Sequence, residues 1–262
     1  MTQNVELSLE ERKKVQLEML KEVDTFCREN NIKYALSCGT LIGAIRHKGF
    51  IPWDDDVDIT MPFDDMVHFL KIFKSDKIEI CDAFNTPGYF LPFPRLANTE
   101  SYSIEGKGTK TYGICIDVYP IIECISNPTK LKTVIAEAQK IWIQRNKLIH
   151  WRAVLLRYIS LPRMNLPIFT PMMKKYQNFL VQELSEPGSG IFYQIGGLLT
   201  IFEKNKWNFN PFEEIIDVEF EGHKFCAPQR YDEFLKVRYG DYMSLPPENQ
   251  RHPYHTEKFY WK

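Results

Sequence analysis

The sequence predicts an α/β (α+β) fold, in which helices pack around a mixed sheet. In the first half of the chain, short apolar runs of strand length alternate with segments of helical periodicity. After Asn127 and Pro128 the pattern becomes mostly helical. The composition agrees, because a chain of 262 residues that is 44% hydrophobic and 14% aromatic can bury a large core and is not disordered.

The first predicted element is an amphipathic helix that runs from Ser8 to Asn30. Ser8 and Glu11 have the spacing of a capping box, in which each side chain accepts from the backbone of the other. The apolar residues that recur at helical spacing behind this cap are Val15, Met19, Val23 and Phe26.

Short apolar segments predict the strands. Tyr34–Ser37 is followed by Gly39 and Thr40 and then by one or two helical turns over Leu41–Arg46, an order of strand, glycine turn and helix that is typical of phosphate sites. A helix is expected to open at Asp64 or Asp65. The remaining strand candidates are Val57–Thr60, Ile78–Ala83, Tyr89–Ala97 and Ile114–Tyr119.

The second half predicts three further features. A helical pattern continues to about Phe202, with prolines interrupting it, and a hairpin over Val218–Cys226 precedes a helix from Pro228 to Gly240. We therefore divide the chain into a core at 1–127, a helical region at 128–210, and a C-terminal hairpin and helix at 211–262 that return to the core.

Charge and cysteine content exclude several classes of protein. The 33 Lys and Arg residues nearly balance the 34 Asp and Glu residues, and this argues against a protein that coats nucleic acid. Six cysteines without a C-x-x-C pair favour reduced thiols. A polar N-terminus and no apolar run of spanning length predict a cytoplasmic protein without a transmembrane helix.

Acidic side chains are concentrated in one place, with four carboxylates in the five residues Asp54–Asp58. In a strand, Asp56 and Asp58 project to the same side across Val57, about 7 Å apart at their Cα atoms. Such a pair suits a hard divalent cation, Mg²⁺ or Mn²⁺, together with substrate phosphate oxygens. The alternative is a solvated acidic turn.

Asp117 is the predicted third ligand. It lies in the otherwise apolar segment ICIDVYPI, where an ionisable group is costly unless it is paired or bound to a metal. The alternative is a strand-edge acid that bonds a backbone amide or an arginine. Asp55 would replace one ligand if the strand register shifted by one residue.

The segment GTLIGAIRHKGFIPWDDDVDI at 39–59 resembles the signature of the LicD family of phosphocholine transferases, a branch of the nucleotidyltransferase superfamily related to fukutin-type proteins. IDVYPI and the C-terminal FEGHKFCAPQRYDEFLKVRYGDYMSLPPENQRH extend the resemblance. It implies a nucleotidyltransferase-like catalytic core at 1–127. It also implies metal-dependent transfer of phosphocholine from CDP-choline to a sugar hydroxyl of a bacterial surface glycan, such as teichoic acid, lipopolysaccharide or capsule.

The resemblance also assigns site residues. Gly39 and Thr40 would hold phosphates, Asp56 and Asp58 would be the paired metal ligands and catalytic residues, and Asp117 would be the third. The candidate phosphate or leaving-group contacts are Arg46, Lys48 and Arg95, with His252 a weaker candidate for the base that activates the acceptor. The alternative for these basic residues is an ordinary exposed charge.

Two further expectations concern the ligands. A choline group would be held by aromatic faces, and the candidates are Trp53, Tyr89, Phe90, Phe93, Tyr102 and Tyr112. The alternative for each of these aromatic residues is a place in the hydrophobic core. The segment Trp151–Tyr176 mixes basic and apolar residues, so it suits peripheral contact with an anionic membrane that presents a lipid-linked acceptor, although a helical core or a dimer contact fits equally well.

Other activities stay open at this point. One alternative keeps the class of transferase but changes the transferred group to glycerol, ribitol or ethanolamine phosphate, or to a nucleotide. In a different class, the chain is a non-catalytic module that binds a nucleotide or glycan.

Overall fold

A computed structural model of the chain describes residues 5–86, 89, 91–105, 109–156, 158, 169–196, 204–253, 255 and 257–262. Its α-helices are α1 Leu9–Glu29, α2 Cys38–His47, α3 Phe63–Ile72, α4 Pro128–Leu156, α5 Phe169–Leu184 and α6 Tyr231–Tyr239, and a short 3-10 helix spans Glu248–Gln250. Its strands are β1 Ala35–Leu36, β2 Val57–Pro62, β3 Ile78–Cys81, β4 Arg95–Asn98, β5 Ser101–Glu105, β6 Thr109–Lys110, β7 Cys115–Glu123, β8 Phe192–Gln194, β9 Lys206–Trp207, β10 Ile215–Phe220, β11 His223–Pro228 and β12 Phe259–Trp261. The predicted α/β class is confirmed.

The main sheet has seven strands, with β1, β2, β7, β4 and β3 in that spatial order and with β8 and β9 extending it from the C-terminal part of β7. β2 and β7 are parallel, while the other pairings in this sheet are antiparallel. Two smaller sheets flank it, the hairpin β10–β11 and the three-stranded β12–β5–β6.

The two faces of the main sheet differ in chemistry. Val57, Ile59, Ile116 and Val118 turn inward and are fully buried in the core that α1 covers. Because side chains alternate along a strand, the residues between them project to the opposite face. Asp58 lies opposite Asp117, which in turn lies opposite Arg95, so three charged residues stand side by side on three neighbouring strands.

The first predicted helix is confirmed, including its capping box. The Glu11 backbone N–H donates to Ser8 Oγ at 3.2 Å, and the Ser8 backbone N–H donates to a Glu11 carboxylate oxygen at 2.8 Å. The predicted glycine turn is wrong in one detail, because α2 already begins at Cys38 and places Gly39 and Thr40 in its first turn.

The expected helical pattern up to Phe202 is wrong at Phe192–Gln194, which forms β8 after α5 has ended at Leu184. β7 is nine residues long, and β4 pairs only with its first three, so the distal part of that edge needs another strand. The periodicity of residues 192–194 themselves does not indicate that β7 needs a further partner strand.

The C-terminal elements pack against the first half of the chain. Phe220 of β10, Phe225 of β11 and Phe234 of α6 belong to the same buried cluster as Leu20 and Val57. Of the helices that the structure describes, none combines the length and apolar character required to cross a membrane.

Candidate active site

The junction of β1, α2 and β2 holds Asp58 in place. The Ser37 backbone N–H donates to the Asp58 carbonyl at 2.9 Å, and the Asp58 N–H donates to Thr40 Oγ1 at 2.9 Å. Cys38, between these two contacts, has a left-handed φ of 48°, a conformation that is costly for a residue with a side chain and is often found at functional sites. The turn therefore fixes both the backbone and the direction of Asp58.

Gly39 lies against Asp54. A Cβ atom at this position would be 2.5 Å from Asp54 Oδ2, so a larger residue would displace that carboxylate from the first turn of α2. Gly39 thus shapes the acidic cluster directly.

Four carboxyl groups, those of Asp54, Asp56, Asp58 and Asp117, form what we call the acidic cluster. Burial raises the pKa of Asp58 well above its ordinary value, and the neighbouring Cys38 and the other three carboxyls raise it further. Burial, followed by the charge of Asp56, raises the pKa of Asp54 to about 7. Burial is also the main reason that the pKa of Asp56 is raised.

The acidic cluster fits a hard divalent cation. Asp58 is 6% exposed, and its Oδ1 atom has no hydrogen-bond partner in the part of the chain that the structure describes. A buried, unpartnered carboxylate oxygen among like charges is unfavourable unless a bound proton or a cation neutralises it. Mg²⁺ and Mn²⁺ prefer such oxygen ligands.

A second set of possible ligands shares Asp56 with the acidic cluster. Asp55, Asp56 and His255 each offer one ligand atom, and these three atoms lie within 4.8 Å of one another. Asp55, however, already has basic partners, because Arg12 Nη2 lies 3.3 Å from Oδ2 and His255 Nδ1 lies 3.2 Å from Oδ1. We therefore regard Asp55 as an anchor for His255, and this compensation by basic groups distinguishes it from Asp58 of the acidic cluster.

The pKa of Asp55 supports this distinction. Burial acts to raise it, but the hydrogen bond and charge of His255, together with the charge of Arg12, hold it below its ordinary value. Asp55 is thus compensated by the protein itself, whereas Asp54, Asp56 and Asp58 have raised pKa values.

Asp117 and Arg95 form an ion pair with each other. Arg95 Nε and Nη2 donate to the two carboxylate oxygens at 2.6 and 3.2 Å, which is the bidentate geometry of a strong pair. Tyr119 Oη also donates to Asp117 Oδ2, at 3.4 Å. The structure brings Asp117 next to Asp58 and pairs it with Arg95, the contact that the alternative interpretation of Asp117 expected, while its role as a metal ligand stays a prediction.

Three of the predicted substrate contacts lie elsewhere. Arg46 Nη1 donates to the carbonyls of Tyr242 and Ser244 at 2.6 and 3.2 Å, so it holds the segment after α6. Lys48 is exposed at the end of α2, and His252 is exposed, with Nδ1 3.1 Å from the Pro253 carbonyl oxygen. Among the described residues, none of these three is hydrogen-bonded or ion-paired with the acidic cluster.

Sequence reasoning missed His255 and Arg12 as residues of the site. His255 lies three positions after the predicted His252 in the same proline-containing segment, and Arg12 lies on the first helix among many other charged residues. Neither has a local pattern that distinguishes it. The one available signal was the predicted return of the C-terminal part, 211–262, to the core.

A cavity of about 110 Å³ adjoins the acidic cluster, between the main sheet and the β12–β5–β6 sheet. Asp56, Asp117, Tyr112 and His255 contribute to its lining. The other aromatic candidates are distributed differently. Tyr89, Phe93 and Tyr102 are buried, Trp53 is half-buried beneath the Arg251 guanidinium, and Phe90 lies outside the described residues.

We expect the protein to lose stability as pH rises when a chelator removes divalent cations. The folded-state pKa values of Asp54 and Asp58 lie above the ordinary value of 3.8, so the folded chain retains protons that the unfolded chain has released. The free energy of unfolding therefore falls as pH rises from about 4 to 7. Thermal denaturation in EDTA measures this dependence. Asp54→Asn should flatten it, and an increase in Tm from pH 5 to pH 7 would contradict the expectation.

Comparisons with known proteins cover nearly the whole chain. A family model described as "LicD/FKTN/FKRP, nucleotidyltransferase domain" matches residues 31–163, which include α2, β2 and β7. The chain is 28% identical, over 97% of its length, to the lipopolysaccharide cholinephosphotransferase LicD of Haemophilus influenzae, and the match covers 98% of that protein. An uncharacterized protein of Rickettsia typhi is 43% identical over 65 residues, 24% of this chain and 21% of its own. A second uncharacterized protein, from Rickettsia prowazekii, is 36% identical over 81 residues, 31% of this chain and 27% of its own.

Proposed function

Because the chain belongs to the LicD/FKTN/FKRP family and is a LicD-type transferase, we propose that it transfers phosphocholine from CDP-choline to a sugar hydroxyl of a bacterial surface glycan, with Mg²⁺ or Mn²⁺ bound at the acidic cluster. The observation that carries the proposal is the unpartnered Oδ1 of buried Asp58, held among three other carboxyls. The near full-length similarity to a lipopolysaccharide cholinephosphotransferase supports the phosphocholine group and the glycan acceptor.

The geometry of the site supports the roles that we propose for its residues. Asp56 and Asp58 would hold the cation, with Asp117 beside them, and the cation would supply neutralisation of the phosphate oxygens and of the departing CMP. Thr40 and Ser37 position Asp58 through its backbone. Arg95 and Tyr119 orient the Asp117 carboxylate, and Asp55 holds His255 against Asp56. In-line transfer depends on such positioning more than on covalent chemistry by the protein.

The acceptor is proposed to be lipid-linked and presented at a membrane surface. Near the end of α4, Trp151 and Tyr158 are 65% and 73% exposed, and large exposed aromatic residues suit a membrane interface. Residues 157 and 159–168 of the predicted membrane-facing segment lie outside the described residues. The division into a catalytic core at 1–127, a helical region at 128–210 and a returning C-terminal part at 211–262 stays a prediction.

One assay separates the proposed donor from its alternatives. Purified protein is incubated with CDP-choline, CDP-ethanolamine, CDP-glycerol or CDP-ribitol, with and without phosphocholine-free lipopolysaccharide, and CMP release is measured in Mg²⁺ and in EDTA. We expect acceptor-dependent CMP release from CDP-choline that EDTA abolishes. His252→Ala, which changes an exposed residue in the C-terminal segment, should retain activity within about twofold.

The other outcomes have distinct meanings. CMP release from CDP-glycerol or CDP-ribitol alone would show that the enzyme transfers a different phospho-alcohol by the same class of reaction. Transfer of the nucleotide itself would be detected as labelled cytidine on the acceptor. Tight nucleotide binding without turnover on any glycan would favour the non-catalytic module.

A further inference from the structure

Arg238 of α6 reaches the first turn of α2. Its Nη1 donates to Cys38 Sγ at 3.2 Å, although the two residues are 200 positions apart. Cys38 lies beside Ser37 and two residues before Thr40, and these two residues bind the backbone of Asp58 on either side. The guanidinium therefore lies at the edge of the acidic cluster, next to the N-terminus of a ten-residue helix.

Arg238 forms no ion pair with a carboxylate of the described residues. A guanidinium has five N–H donors. Within the described part of the chain, the contact with Cys38 is its one hydrogen bond, and no carboxylate oxygen lies within 4.0 Å of it. Other arginines of the protein do have such partners, among them Arg12, Arg28, Arg95 and Arg230.

Arg238 nevertheless remains positively charged in its partly buried position. Burial acts to lower its pKa, but the neighbouring Cys38 and Tyr239, followed by Tyr119 and Asp58, raise it above the ordinary value. The Tyr239 ring centroid is 5.4 Å from the guanidinium carbon, so a cation–π contact also supports the charge.

The Arg238 guanidinium and the Asp58 carboxylate do not form a direct ion pair. Asp58 Oδ1 has no hydrogen-bond partner among the described residues, and the Cys38 thiol occupies Nη1 of Arg238. A buried carboxylate and a nearby guanidinium usually neutralise each other by direct contact. Groups kept apart in this way suit two bound ions, a cation on the carboxylate and an anion on the guanidinium.

We propose that Arg238 binds the phosphate oxygens of the nucleoside diphosphate donor, at the side of the acidic cluster formed by the first turn of α2 and the end of α6. The inference rests on the proposed function, because it assigns part of the donor site. The sequence assigned such a phosphate contact to Arg46 and Arg95, but both guanidinium groups are bonded to the protein itself. Arg238 would make this contact in their place. Backbone N–H groups at the start of α2 would complement the same anion.

The test compares ligands with and without phosphate by calorimetry in Mg²⁺. CDP-choline and inorganic pyrophosphate carry the anion, and cytidine does not. We expect Arg238→Gln to weaken CDP-choline and pyrophosphate binding roughly 10- to 100-fold and to leave cytidine binding unchanged, with Arg238→Lys intermediate. The matched control is Lys236→Gln, which removes one positive charge from the exposed side of the same helix and should change nothing.

Each other result decides a particular point. Equal loss for cytidine and CDP-choline in both Arg238 variants would show a structural role and overturn the inference, as would unchanged pyrophosphate binding. If the unmutated protein binds pyrophosphate through Arg238 but does not bind CDP-choline, the phosphate site stands and the proposed donor fails. If it binds neither ligand, the phosphate site is overturned.

Discussion

Asp58→Asn is expected to abolish transfer and to leave the protein as stable as before, or more stable, in a chelator. Asp58 is nearly inaccessible, its Oδ1 atom has no partner among the described residues, and burial with neighbouring carboxyls raises its pKa. The neutral amide removes that electrostatic cost while keeping the shape of the side chain. The loss of a cation ligand should lower kcat by about three orders of magnitude or more.

Two measurements check this prediction. CMP release measures transfer, and thermal denaturation in EDTA should give a Tm that is unchanged or higher by about 2–4 °C. Binding of Mn²⁺, followed by calorimetry, should weaken at least tenfold. The control is Asp64→Asn. Asp64 is an exposed acid in the first turn of α3, so this substitution removes the same charge outside the site. Full activity of Asp58→Asn would refute the assignment of the cation site.

Asp55→Asn is expected to have the opposite effect on stability, although the two residues are only three positions apart. The Asp55 side chain is fully buried and is paired with Arg12 and His255. It also accepts from the His255 backbone N–H at 3.3 Å. Neutralising it leaves two basic groups without their shared partner, so we expect a loss of about 3 kcal/mol in the free energy of unfolding.

Chemical denaturation measures this loss, and limited proteolysis locates it. Because Asp55 holds the segment that carries His255, the variant should be cleaved faster than the unmutated protein near residues 251–258. His255→Ala should have a smaller effect in the same direction, while His252→Ala should stay within about 0.5 kcal/mol of the unmutated protein. A stability of Asp55→Asn equal to that of Asp58→Asn would contradict the distinction between the anchor and the cation site.

Much of the secondary structure was predictable because its signals are local. The capping box at Ser8 and the apolar periodicity behind it required only neighbouring residues, and both are present in α1. The strand at Val57 was likewise visible as a short apolar run beside the acidic segment. The strand β8 was not predictable in this way. It is stabilised by pairing with the distal part of β7, which β4 does not reach.

The sequence by itself determined the α/β class, the family resemblance and the concentration of acids at Asp54–Asp58, because each depends on composition or on residues close together in the chain. The tertiary structure decided which of these acids is compensated. Asp55 meets Arg12 and His255, Asp117 meets Arg95, and Asp58 keeps an oxygen without a partner among the described residues. The physical reason is that burial and charge pairing depend on strand register and on contacts between residues up to 200 positions apart, which no local pattern encodes.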